Sequence, residues 1–126
     1  MNERERHKKG MKIREQVLGK AHVQRAESRK NDFNEAFQDL ITRYAWGEIW
    51  ARPQLPKKTR SMLAITMMVA LNRTEELRLH LRAAANTGVS RGEIREILLQ
   101  AAIYCGVPAA NHAFQVAEEV FAELRK

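Results

Sequence analysis

Apolar residues recur every three or four positions along most of this chain, and the recurrences fall into separate blocks. From Asn31 to Trp50, Phe33, Phe37, Leu40, Ile41, Tyr44 and Ile49 follow helical spacing, which predicts an amphipathic helix that breaks near Gly47. Arg52-Pro53 marks the next boundary, and Pro56 suits the first turn of a following helix. In that helix Met62, Leu63, Ile65, Met67, Met68, Val69 and Leu71 are apolar nearly all round, as expected of a buried central helix. The block from Thr74 to Thr87 opens on a capping residue, carries Glu75 and Glu76 in its first turn, and stops at Gly88. Ser90 and Glu93 form a capping box, after which Ile94, Ile97, Leu98, Ala101, Ala102 and Cys105 keep the helical period to Gly106. Pro108 opens the last helix, whose stripe is Phe114, Ala117, Val120, Phe121 and Leu124.

These blocks predict an all-α, compact helical domain of about six helices. On the Thr74 helix, Leu77, Leu81, Ala84 and Ala85 share one face while Leu79 and Ala83 lie roughly opposite. A helix wetted on one side does not need both, so a second packing surface is expected, supplied most simply by another copy of the chain. The polar stretch from Gly19 to Asn31 reads as a linker. The organisation expected is a basic leader, helical or extended, over residues 1–30, and one helical domain over residues 31–126.

Composition sharpens this reading. Only three prolines and six glycines punctuate 126 residues, so turns are few and one core is the limit. Cys105 is the single cysteine, which excludes an internal disulfide and a thiolate cluster within one chain and suits a reducing compartment. The start of the chain lacks an apolar signal segment, and no run approaches the roughly 20 apolar residues of a membrane span. A cytoplasmic protein without membrane association is expected. The net charge of +7 is concentrated in residues 1–30, with ten Lys/Arg against four Asp/Glu. That arm has no aromatic residue for base stacking and no recognition helix, so no nucleic-acid partner is expected. A solvated leader, or an arm packed on a neighbouring subunit, accounts for it.

No phosphate loop, dinucleotide fingerprint, zinc spacing or nucleophile elbow is present, so the usual short motifs say nothing and no metal site is among the candidates. Candidate chemistry lies in three clusters. Glu76 and His80 stand four residues apart on one helical face, which makes either an acid/base pair at a core edge or an ordinary surface pair. Tyr44, Trp46, Glu48, Trp50 and Arg52 gather both tryptophans beside a glutamate and an arginine, as a ligand wall or as core packing. Tyr104 to His112 forms a helix-to-helix turn around Gly106 and Pro108; the amides that follow, near Asn111, form an anion-attracting terminus or only a tight turn. Arg60 enters a segment turning apolar, where a cation needs a carboxylate partner or an anionic ligand. Cys105 as a nucleophile would need a neighbouring base or cation; otherwise it is a core residue.

Over these clusters the chain resembles the 4-carboxymuconolactone decarboxylases: RYAWGEIWARP from Arg43 to Pro53, LNRTEELRLHLRAA from Leu71 to Ala84, and EIREILLQAAIYCGVPAANHAF from Glu93 to Phe114. The resemblance covers most of residues 31–124. It implies a compact helical fold shared with alkylhydroperoxidase-like proteins, assembled as a homo-hexamer or homo-trimer. It also implies loss of CO2 from 4-carboxymuconolactone to give 3-oxoadipate enol-lactone, without a cofactor, in aromatic catabolism through protocatechuate. Under that resemblance His80 is the expected general acid, oriented by Glu76 or Glu48. Arg60 and Arg52 are the expected carboxylate partners, Tyr104 or the amides near Asn111 the donors to the lactone oxygen, and Trp46 part of the wall that keeps the departing carboxylate poorly hydrated.

Redox relatives of the same fold carry Cys-x-x-Cys followed four residues later by histidine. The corresponding stretch here runs Arg73, Glu76, His80, so both sulfurs are absent while the histidine stays. The alternative readings are a thiol-dependent peroxidase or redox partner on this fold, and a non-catalytic oligomeric binding module.

Overall fold

The computed structural model describes residues 1–125. Among them are seven α-helices, one π-helical stretch and no strand. The chain divides into two compact units, Met1–Lys57 and Lys58–Lys126.

The first unit holds α1 (Glu3–Leu18), α2 (Lys20–Ser28), α3 (Glu35–Leu40) and a π-helix over Ile41–Ile49. Asn2 starts α1, its side chain accepting from the Glu5 amide at 2.8 Å. Gly19, at φ +90°, separates α1 from α2, a conformation costly for any residue with a Cβ. The segment from Gly19 to Asn31, expected as a linker, is therefore mostly helix, because Val23 finds a buried place at 2% exposure. Nor does the chain break at Gly47. The helix widens into the i→i−5 pattern, with the Trp50 amide donating to the Ala45 carbonyl at 2.9 Å, and runs through to Ile49.

Gly47 is needed for a different reason. A Cβ there would sit 2.4 Å from the Arg6 carbonyl oxygen, and one on Gly10 would sit 1.9 Å from that of Thr42. The two glycines let α1 and the π-helix cross backbone to backbone, and Ile13, Val17 and Trp46 are buried in this unit. The basic leader is thus part of a packed unit. Arg14 on α1 is 5% exposed and donates to the Thr42 hydroxyl and the Gln38 side-chain oxygen, each at 3.3 Å. Desolvation pushes its pKa below the usual guanidinium value.

The second unit holds α4 (Lys57–Ala70, entered at Lys58), α5 (Thr74–Thr87), α6 (Arg91–Cys105) and α7 (Val107–Leu124). Its core is built from Ile65, Val69, Leu77, Leu81, Leu98, Val116 and Val120 with small residues between. The Ser90–Glu93 capping box forms, at 3.0 and 2.9 Å, and Gly88 ends α5 in the left-handed conformation. Thr74, expected to cap α5, does not: Arg73 holds the cap position, and the Thr74 hydroxyl instead meets His112 Nε2 of α7 at 2.9 Å. On α5 the opposed Leu77 and Ala83 are both buried, whereas Ala85 is exposed. α4 is not buried all round, since Leu63, Met67 and Leu71, four residues apart, are exposed. Leu124 also leaves its stripe for solvent.

Candidate functional site

In the second unit the α5 cluster has the geometry its spacing implies. Glu76 and His80 share a face of the helix; Glu76 is exposed, while His80 is half-buried with its Nδ1 atom shielded from solvent. Arg60 is half-buried on α4 with its Nε shielded. It adjoins Ser61, whose hydroxyl meets that of Thr87 at 2.7 Å. Thr87 lies two turns beyond His80 on α5, ~10 Å along the axis.

Tyr104 and Asn111 flank the Gly106 turn, Tyr104 near the end of α6 and Asn111 in the second turn of α7. Both are exposed, Tyr104 to 83%. Tyr104 and Cys105 line a groove of about 560 Å³ between α4 and α6, with Met62, Leu63, Thr66 and Ile97. Cys105 is half-buried there and packs partly against the core. No group of three or more His, Cys, Asp or Glu residues among the described residues is arranged to hold a metal ion.

In the first unit the π-helix carries Trp46 and Glu48, and Arg52 follows it on an exposed turn. Trp46 is 7% exposed and stacks on Trp50 with ring centroids 4.9 Å apart, so most of its surface packs against protein. Glu48 Oε2 accepts from Arg6 Nη1 at 2.7 Å. Arg6 also contacts Glu3 Oε1 through Nε at 3.4 Å and lies over the Tyr44 ring at 5.3 Å. The Tyr44 hydroxyl donates to Glu3 Oε2 at 2.8 Å, and this bond, with Arg6 beside it, holds the Glu3 carboxyl below its ordinary pKa. Arg6 was not among the candidates drawn from the sequence. It stands 42 residues from Glu48, and no periodicity links the two.

The comparisons with known proteins bear on these same segments. Residues 35–119 match the model of the carboxymuconolactone decarboxylase family. The chain is 49% identical over 124 residues, 98% of its length and 92% of the relative's, to a 4-carboxymuconolactone decarboxylase of Acinetobacter baylyi. It is 40% identical over 115 residues, 91% of its length and 80% of the relative's, to a nitrosuccinic acid decarboxylase of Metarhizium robertsii. Both relatives bear the names of decarboxylases, though of different acids. With a helical fold, a matching model over most of its length and near full-length identity to such proteins, the chain belongs to the carboxymuconolactone decarboxylase family.

Proposed function

We propose that this protein is a carboxy-lyase that decarboxylates 4-carboxymuconolactone to 3-oxoadipate enol-lactone and CO2 in protocatechuate catabolism, in the cytoplasm. The observation that carries this reading is the 49% identity over 98% of the chain to a protein of that name. Its 40% identity to a nitrosuccinic acid decarboxylase supports the shared step, loss of CO2 from a small dicarboxylic substrate.

The chemistry needs little from the protein beyond charge and one proton. As the carboxylate leaves the ring carbon, the electrons of the breaking bond move through the adjacent double bond to the lactone carbonyl. The substrate is its own electron sink, and no cofactor is required. Three tasks remain: holding a dianion, stabilising the dienolate oxygen, and returning a proton to the carbon beside the carbonyl. Arg60 and Arg52 are our candidates for the first, since a guanidinium matches a carboxylate bidentately. Tyr104, or the amides near Asn111, donates to the dienolate oxygen. His80 delivers the proton, oriented by Glu76 or Glu48; its half-buried place on the same helical face as Glu76 supports this role. Trp46 walls the departing carboxylate from water.

We further propose that the working protein is a homo-oligomer, a trimer or hexamer. Exposed apolar stripes support assembly: Phe33, Phe37, Leu40 and Tyr44 in one unit, Leu63, Met67 and Leu71 in the other. The test is incubation of purified protein with 4-carboxymuconolactone, without added metal or thiol, following CO2 and enol-lactone together. Equal release of both supports the reading, whereas an intact substrate overturns it.

A further inference from the structure

The strongest unassigned feature is the cluster where α1 meets the π-helix. Arg6 is only 19% exposed and its guanidinium is fixed by three groups at once: Glu3, the Tyr44 ring and Glu48. Its own carbonyl oxygen presses on Gly47, the residue preceding Glu48, and one turn further along α1 Gly10 presses on Thr42. At both points the contacting atoms are backbone, so the π-helix cannot shift relative to α1 without opening the crossing. Glu48, with its side chain 46% exposed, has one carboxylate oxygen on Arg6 at 2.7 Å. Among the described residues its other oxygen has no partner. The result is a glutamate held at one oxygen and presented at the other.

We infer that Arg6 is a positioning residue for the decarboxylation: by clamping one oxygen of Glu48 it aims the second, so that the basic leader helix is part of the catalytic machinery. The inference rests on the reading that Glu48 takes part in the reaction. Arginine suits the task because its planar fork reaches two carboxylates and stacks on a ring at the same time, while lysine brings a single point of charge. The competing account is a surface ion pair that merely decorates the crossing. The two differ in what happens once Glu48 is gone.

The experiment is a double-mutant cycle on the full chain, measuring kcat and KM for Arg6→Gln, Glu48→Gln, the pair together and Arg6→Lys, with thermal midpoints to establish matched folding. Lys8→Gln, one exposed charge further along α1, is the control. We expect Glu48→Gln and Arg6→Gln each to lower kcat, Arg6→Gln by about 10-fold with KM nearly unchanged, as is typical when a supporting group is removed. The double variant is expected to match Glu48→Gln alone, because Arg6 then has nothing to aim. Arg6→Lys is expected to recover part of the loss. Normal turnover in Arg6→Gln overturns the inference, and so does a double variant whose losses multiply, which makes Arg6 a general structural residue. Full activity in Glu48→Gln removes instead the reading on which the inference rests, and the single variant identifies that failure separately.

Discussion

Replacing Gly10 with alanine adds one methyl group to the crossing of α1 and the π-helix, and its effect is calculable. The new Cβ would lie 1.9 Å from the Thr42 carbonyl oxygen and 2.9 Å from both the Gly47 nitrogen and the Thr42 carbonyl carbon. Non-bonded heavy atoms need roughly 3.5 Å, so the two helices must part by about 1.5 Å. No side chain can rotate out of the way. Because only backbone atoms are in the way, the upper part of the usual overpacking cost applies, about 2–3 kcal/mol, against about 1 kcal/mol gained from alanine's better helix propensity. A net destabilisation of about 1–2 kcal/mol is expected. Gly92 in α6 is the internal control: a Cβ there meets only Arg95 Nη2 at 3.7 Å and Ser90 Oγ at 3.8 Å, ordinary contacts. Gly92→Ala should therefore stabilise by about 0.5 kcal/mol. Urea unfolding followed by far-UV circular dichroism reads both midpoints, and CO2 release reads activity. The same substitution should move stability in opposite directions at the two sites, with turnover falling only in Gly10→Ala. If Gly10→Ala proves as stable as the parent, the close crossing is wrong.

Three further outcomes follow from other parts of the chain. Arg14 is buried with hydrogen bonds to two neutral oxygens, and the Glu27 carboxylate acts on it through its charge, so Arg14→Met should leave the urea midpoint unchanged or raise stability by about 1–2 kcal/mol; a loss above 1 kcal/mol would show that the guanidinium holds the unit together. Asp39 accepts from Lys30 at 3.1 Å, which lowers the Asp39 pKa and raises that of Lys30. A depressed carboxyl contributes stability above its unfolded value of ~3.9 and loses it as pH falls through the folded one, while the raised ammonium loses its share only above ~10.4. With His7 Nε2 also 3.5 Å from Asp39, the difference between parent and Asp39→Asn should stay below about 1 kcal/mol and vanish toward pH 2; a difference that grows below pH 4 would reverse the sign. Cys105→Ser should keep turnover within about twofold, because a lone half-buried thiol has no pairing partner in its chain, and loss of activity would favour a thiol-dependent reaction.

The fold was largely legible because most helix ends carry their own signals. The Ser90–Glu93 box, Gly88, Gly106 and Pro108 each set a boundary through local chemistry, and the structure keeps all four. What the pattern missed is what depends on distant partners. Gly47 looks like a helix breaker in one dimension; only the Arg6 carbonyl from 41 residues earlier makes it a contact point. Thr74 looks like a cap, but His112 from another helix competes for its hydroxyl. The apolar run of α4 implies burial that a single chain does not supply for Leu63, Met67 and Leu71. On the site, spacing places Glu76 and His80 on one face, since that is fixed within one helix. It gave no hint that the leader reaches Glu48, because an ion pair between elements leaves no period in the sequence.

The role proposed for His80 is to supply the proton that completes the decarboxylation. It is tested most directly by CO2 release from 4-carboxymuconolactone by wild type and His80→Ala at matched folding, without metal or thiol. Wild type should turn over, and the variant should lose about 100-fold or more in kcat, as expected when a general acid is removed. Unchanged turnover in His80→Ala would contradict it.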